Sequence, residues 1–465
     1  MSKLPIPDPE KMKVDLQDKA VLYMQHRKDA IKGLQADLKK IYYDSDSGKF
    51  YKQGKHGDFI KFSEGSVKRY LKIHGFKPSA KTDDEHSPID YAMDEIMEDR
   101  AVEWVGQLGG YRTGLHTIQN GTRILIRKSA SLPKPKTGDY SAFDKFFRGI
   151  LKTDEQINFF YSWLKICLTE LSKGSLRSGP AIVLVSPKNF GKSLFKKLVS
   201  KILGGRAADA TKFMKSRTDF NADLFGSELW VLDDTVPAAQ YGARLEMGKL
   251  IKQVVASNDD SCHPKGRDAL PVRIWRRLMI FCNDDPESLK IIPPIDGQDH
   301  LSDKLAILKA HKQDLSFAGL DADEKDNYDT RIEEQLPAFA DFIMNQFEIP
   351  ESAKTQSDHV RRWGLDVIQS EEVVSSVQAE QKEIKLHEMI QEHITRFSEW
   401  RGKASSLVDE LQDIPELRQR MIDLRLNTDS VSKLLTNLSV MKSGIYSKPK
   451  KDRVKGQEYI IKPEY

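Results

Sequence analysis

Ala181-Ile182-Val183-Leu184-Val185 runs straight into Ser186-Pro187-Lys188-Asn189-Phe190-Gly191-Lys192-Ser193 and then into a helical pattern from Leu194 to Leu203. Five consecutive apolar residues ahead of a turn-forming segment read as a strand buried on both faces, as in parallel sheets. Strand, loop and helix in that order aim backbone N–H groups and a helix N-terminus at phosphate oxygens. Lys192 adds a point charge beside the β and γ oxygens, and the Ser193 hydroxyl is placed to ligate Mg²⁺. The eight loop residues from Ser186 to Ser193 are the candidate nucleotide contacts, with ATP and Mg²⁺ as the expected cofactors. Ser186 stands where the G-x-x-x-x-G-K-[ST] pattern begins with glycine. The opening turn is therefore expected to be one that a small L-residue accepts.

Further along, Leu229-Trp230-Val231-Leu232 is a second apolar run, and it ends in Asp233-Asp234. Ligands of such sheets sit at the carboxyl ends of the strands. One carboxylate is expected to hold Mg²⁺ through water and the other to orient and deprotonate the attacking water. We assign Asp233 to the metal and Asp234 to the water, the roles being interchangeable at this level. A third run, Leu278-Met279-Ile280-Phe281-Cys282, ends at Asn283, whose amide suits both the γ-phosphate and the attacking water. Asn283-Asp284-Asp285-Pro286 is also good turn chemistry. From Pro180 to about Ala310, apolar strands alternate with helical patterns, which predicts a three-layer α/β domain.

The chain has 465 residues, about three domains at roughly 150 residues each. No apolar run approaches the ~20 residues a bilayer requires, so a membrane partner is not expected. Met1 to Lys13 lacks the apolar stretch of a signal peptide, and 3 cysteines make no disulfide framework. A cytoplasmic location in the host cell is expected. The net charge of +4 decides nothing about partners, but Lys442 to Lys462 holds seven basic residues against two acidic ones. Anions are drawn to that end.

The predicted organisation has four parts. Residues 1–100 form a mixed α+β module containing a helix and an aromatic hairpin around Tyr42, Tyr43, Phe50, Tyr51 and Phe59. Residues 101–175 form a helical collar preceded by glycine turns and a strand; residues 176–350 form the phosphate-loop domain. Residues 380–465 carry a helix from Leu386 to Trp400, a second from Ala404 to Leu411, a third from Ser430 to Met441, and a basic hairpin. That last order predicts a winged-helix DNA-binding domain. Ser432, Lys433, Thr436 and Asn437 would line its exposed helix face, and Lys448, Lys450, Lys451 and Arg453 would reach phosphates from the wing.

Three strands ending in GKS, DD and N resemble the ATPase of superfamily 3 helicases, an AAA+-like P-loop fold. The nearer likeness is to primase-helicases of phages, plasmids and mobile elements, related distantly to poxvirus helicase-primases. It is carried by Gly109-Gly110-Tyr111-Arg112-Thr113-Gly114-Leu115, Leu203-Gly204-Gly205-Arg206, Phe220 to Gly226, Lys252-Gln253-Val254, His263-Pro264-Lys265-Gly266-Arg267, Trp275-Arg276-Arg277 and Asp303-Lys304. The resemblance implies a ring, a hexamer, that hydrolyses ATP between subunits and translocates on single-stranded DNA, typically 3′ to 5′, with a separate primase as a possible partner. It also implies that the loop or hairpin from Asp259 to Leu270, between a helix and a strand at Val272 to Trp275, faces the channel. His263, Lys265 and Arg267 would then grip successive phosphates.

A ring motor needs a cation reaching into the neighbour's site. Arg244 is the first choice, with Arg206, Arg276, Arg277, Lys290 and Lys304 as alternatives. The N-terminal part lacks paired catalytic acids with a histidine, so no primer-synthesising site is expected, and Asp44 and Asp46 read as hairpin-turn residues. The rival reading is an origin-binding initiator in which ATP switches assembly without unwinding. A small-molecule kinase is a distant third, disfavoured by Asp234 and by the appended C-terminal domain.

Overall fold

The computed structural model describes residues 9–31, 38–79, 86–215, 218, 220–233, 241–257, 260–293, 301–312, 322–354, 363–395, 399–441, 444–447, 450–452 and 456–464. Near the N-terminus, strands β1 (Ile41–Asp44), β2 (Lys49–Gln53), β3 (Phe59–Phe62) and β4 (Ala101–Val102) make one sheet in the order β3-β2-β1-β4. The aromatic hairpin pattern is thus realised as an antiparallel meander, and β4 adds in parallel to β1. Helices α1 (Pro9–Ile31), α2 (Glu64–Ile73) and α3 (Pro88–Glu98) flank it. Ser87 and Asp90 form a reciprocal capping box that fixes where α3 begins. The buried Arg27 of α1 pairs with Glu95, Glu98 and Asp99 at the end of α3, which orients one helix on the other.

Strands β5 (Trp104–Gly106), β6 (Gly114–Thr117) and β7 (Arg123–Ile126) form a separate small sheet. The stretch expected as a helical collar therefore divides. Its first part, 101–126, is strand, because the glycines at 106, 110, 114 and 121 break any helical run and three of them take positive φ. Only α4 (Ser141–Leu151) and α5 (Asp154–Lys173) are helical, and both pack on the central domain rather than standing apart from it.

That domain is a five-stranded parallel sheet. It comprises β8 (Ala181–Val185), β9 (Ala207–Asp209), β10 (Leu229–Asp233), β13 (Arg277–Cys282) and β14 (Leu305–Lys309), in the order β14-β8-β13-β10-β9. Alternate residues of β8, β10, β13 and β14 feed opposite layers. Ile182, Leu184, Val231, Met279 and Phe281 pack with α4, α5 and α6 (Lys192–Ile202). Val183, Val185, Trp230, Leu232 and Ile280 pack with α7 (Tyr241–Ala256). Covered on both faces, these strands must be apolar throughout, and the three-layer expectation holds. Between α7 and β13 a short antiparallel hairpin, β11 (Ser261–Cys262) with β12 (Leu270–Pro271), projects from the core. The strand expected at Val272 to Trp275 is absent; the ladder starts at Arg277 instead.

The segment at Gly109-Gly110 is locked into this core. A Cβ on Gly109 would lie 2.3 Å from the Trp275 carbonyl oxygen, and Gly110 has φ +80° against the Trp275 side chain. Trp275 N–H donates to the Gly109 carbonyl at 2.9 Å, so the two backbones run in contact.

Helix α8 (Ala322–Asp341) closes against α4. Beyond it come α9 (Glu371–Ile394), β15 (Trp400–Gly402), α10 (Ala404–Gln412), α11 (Pro415–Asp423), α12 (Thr428–Met441), β16 (Lys450–Asp452) and β17 (Gly456–Ile461), with the strands ordered β15-β17-β16. Two details differ from expectation. Trp400 lies in a strand paired with Ile461 rather than in a helix, and a fourth helix, α11, follows Ile414, with Pro415 in its first turn where the missing N–H costs nothing.

Candidate functional site

Parallel register brings the carboxyl ends of the three central strands together. Cys282 of β13 is level with Val185 of β8, and Asp233 of β10 is level with Phe281. Asn283 and Ser186 are therefore the next residues out of adjacent strands, and the Ser186 N–H donates to the Cys282 carbonyl at 3.1 Å. Ser186 is buried, its hydroxyl donating to the Pro187 carbonyl at 3.0 Å. It does not take positive φ; the left-handed positions of the loop are Asn189 (φ 66°) and Gly191 (φ 88°). Serine at the first position is thus accommodated without strain, because the turning is done further on, at an asparagine and a glycine that tolerate it.

Gly191 opens α6 with no side-chain cap and no acidic residue in the first turn. The leading N–H groups of that helix consequently lack side-chain acceptors, the arrangement in which a phosphate is accepted. Lys192 Nζ bonds to the Asn283 side-chain oxygen and lies 3.5 Å from the Ser186 carbonyl. One turn on, Lys196 pairs with Asp233, a partner that no sequence motif signals and that only the i+4 spacing on α6 brings into reach. Lys196 and Asp233 are about one-third and two-fifths exposed, so the pair is weak and yields to a stronger cation or anion. Asp285 caps the short helix Pro286–Leu289 at the same rim. Burial raises its pKa, but the Ser288 N–H and hydroxyl and the neighbouring Lys188 outweigh this and hold it below the usual carboxylate value.

These residues fit ATP and Mg²⁺. Ser193 is exposed at the start of α6 and Asp233 stands at the end of β10. Among the described residues no group of three His, Cys, Asp or Glu side chains that could hold a metal gathers. Asp234 lies outside the described residues. Arg244 belongs to α7 by backbone, and its side chain is likewise outside them.

The alternative trans cations are committed within the chain. Arg206 forks onto the fully buried Glu228, donating from Nε at 2.8 Å, and also reaches the Leu108 and Lys128 carbonyls. Arg276 pairs with Asp260 and donates to the Val254 carbonyl. Arg277 bonds Glu170 at 2.6 Å and stacks on Trp275. Lys290 and Lys304 pair with Glu287 and Asp303. A guanidinium buried with its carboxylate cannot leave without exposing an uncompensated charge, so Arg276 and Arg277 do not fit the role, and the half-buried Arg206 is held by Glu228.

On the hairpin, His263 and Lys265 are exposed. Arg267 is not available as expected: it bonds the buried Asp44 of β1 at 2.6 Å, 223 positions away in sequence. Asp44 also accepts from Ser47 at 2.6 Å, so it serves the turn and the hairpin together. In the C-terminal part Lys433 is exposed on α12. Ser432 and Thr436 turn instead to the Tyr459 hydroxyl, at 3.1 and 3.2 Å, and Asn437 bonds Glu383. These bonds tie α12 to β17 and α9, while Thr436 and Asn437 remain exposed, as expected, and Ser432 is half-buried. Lys448 and Arg453 lie outside the described residues, while Lys450 and Lys451 are placed by backbone in β16. No helix among the described residues is long and apolar enough to cross a membrane, and the three cysteines are all buried outside any disulfide.

Residues 184–299 match a family of unknown function, DUF5906. None of the curated proteins matches the sequence. Among solved structures, the apo NrS-1 C-terminal region (305-718) aligns with TM-score 0.51 and 12% identity, covering 93% of this chain and 98% of that one. The likeness between the two chains is one of overall fold. The JCV helicase aligns at TM-score 0.25 with 8% identity over 43% of this chain and 58% of its own. The active helicase Cch of SCCmec type IV aligns at 0.28 with 12% identity over 85% and 69%.

Proposed function

We propose that this chain is an ATP- and Mg²⁺-dependent replicative DNA helicase of superfamily 3 type, encoded by a phage or mobile element and assembling as a ring. The observation that carries the reading is the convergence of Lys192, Asn283 and Asp233 at the carboxyl ends of adjacent parallel strands. In this reading Lys192 neutralises the β and γ oxygens, and Ser193 and Asp233 hold the metal. Asn283, already bonded to Lys192, orients the γ-phosphate and water, while Asp234 accepts the water's proton. Bound Mg²⁺ supplies charge neutralisation at the transferring phosphoryl group. His263 and Lys265 contact single-stranded DNA from the hairpin. The C-terminal order of helix, strand, helices and two pairing strands supports a winged helix bearing Lys433 and the basic wing on duplex DNA. Arg244 is the cation proposed for the neighbour's site.

The test measures ATP hydrolysis and strand displacement for the full chain, for Lys192→Ala and for a His263→Ala/Lys265→Ala variant. The motor reading expects Lys192→Ala to lose both activities and the hairpin variant to lose displacement while still binding duplex origin DNA. Hydrolysis without displacement in the parent would favour the assembly-switch initiator, a reading that the retention of Arg267 by Asp44 keeps in play.

A further inference from the structure

At the opposite edge of the central sheet, where the strands begin, lies a cleft of about 620 Å³, within the roughly 300–1,000 Å³ of ligand sites. Arg177 precedes β8, Arg273 precedes β13, and both line it, together with Tyr111, Asn120, Asp260 and Val272. Pro271, also in its wall, belongs to the base of the β11–β12 hairpin, and Asp260 precedes that hairpin's first strand. The cleft thus continues from the element that carries Lys265, and it is on the other side of the sheet from Lys192.

Its charge is unbalanced. Arg276 and Arg277, which follow Arg273 in the chain, each pair with a carboxylate. The one acid in the cleft wall, Asp260, is taken by Arg276. Arg177 and Arg273 have no carboxylate partner among the described residues, and the buried Nε of Arg273 makes no hydrogen bond. Tyr111 lies beside Arg273; burial pushes its hydroxyl pKa up and Arg273 pulls it back, leaving a protonated donor at neutral pH. Two unpaired guanidiniums and a phenol in a half-enclosed groove select an anion with several acceptor oxygens. The groove has neither a phosphate loop nor a helix N-terminus, which argues against a free nucleotide, whereas its continuity with the hairpin argues for a chain.

We propose that this cleft binds the sugar–phosphate backbone of single-stranded nucleic acid running from the hairpin, with Arg177 and Arg273 each contacting a phosphate. The proposal rests on the proposed reading of the hairpin as a DNA-contacting element for its choice of a nucleic-acid chain, but not for its choice of an anion. The full chain, Arg177→Gln, Arg273→Gln and the double variant are titrated without nucleotide against fluorescein-labelled oligothymidylate over a range of salt, and ATP hydrolysis is measured separately without DNA. The double variant is expected to bind tenfold or more weakly, the range for losing charged hydrogen bonds, with its log–log salt slope shallower by about 1.4 for two contacts. Arg177 is exposed, so Arg177→Gln keeps the fold and alone flattens the slope by about 0.7. Hydrolysis without DNA stays at the parent level. Parent-like affinity and slope in the double variant overturn the cleft, as does a parent that does not bind the oligomer. A parent that fails to hydrolyse ATP but shows the slope change overturns the motor reading and leaves the cleft standing.

Discussion

Glu228 offers the sharpest test of how the phosphate-loop domain is joined to the segment before it. Its carboxylate is fully buried and accepts from Arg206 Nε at 2.8 Å, from a second Arg206 nitrogen and from the Gly110 N–H at 3.0 Å. Glu228→Ala removes the counter-charge of a guanidinium that is only 15% exposed and orphans one backbone amide. Breaking a buried pair from one side costs about 3–5 kcal/mol, and the residual exposure of Arg206 places this case near the lower end. Arg206→Ala is expected to cost at least as much, since it strands a carboxylate with no exposure at all. The double variant leaves neither charge behind, so it should cost less than the two singles summed, by about 2–3 kcal/mol. Urea unfolding followed by tryptophan fluorescence reads this directly, because Trp230 and Trp275 are buried in the same domain. Additive single and double effects, or a Glu228→Ala cost within 0.5 kcal/mol of a surface substitution, would refute the buried-pair argument.

Other outcomes follow from the same geometry. Gly109→Ala places a methyl 2.3 Å from the Trp275 carbonyl oxygen, so thermal unfolding should fall by the equivalent of about 3 kcal/mol or more, with no rescue from a smaller neighbour because the obstacle is backbone. Asp285→Ala removes a helix cap worth about 1 kcal/mol. Because the folded-state pKa of Asp285 is lowered, its contribution is present above the unfolded value of about 3.9 and is lost as pH falls through the folded one. Parent and variant stabilities should therefore converge in acid, and a gap that persists at low pH would contradict the assignment. On the hairpin, Lys265→Ala should weaken single-strand binding and flatten its salt dependence, while Arg267→Ala should chiefly lower stability, because Arg267 is spent on Asp44; equal DNA-binding losses would show otherwise.

The three strand ends were legible because a parallel strand covered on both faces has no polar positions, and its first polar residue marks where the sheet stops. Val185, Leu232 and Cys282 each precede a residue of the site for that reason. What the sequence hid is long-range pairing. Nothing local to Asp44 distinguishes a turn acid from a buried partner of Arg267, and Arg206, Arg276 and Arg277 read as available cations until Glu228, Asp260 and Glu170 are seen beside them. Helix α11 escaped notice because only Leu417 and Met421 are buried on it, too few to show a period. Trp400 extended the preceding helical pattern in sequence, yet its burial is reached from a strand against Ile461.

The central claim is that the ends of β8, β10 and β13 serve one nucleotide. Calorimetric titration of a non-hydrolysable ATP analogue with Mg²⁺ into the full chain, Lys192→Ala and Asn283→Ala tests it most directly. The account predicts one site per chain, affinity reduced roughly tenfold to hundredfold by Lys192→Ala, as for a lost charged contact, and a smaller loss with Asn283→Ala. Equal affinity in all three proteins would contradict it.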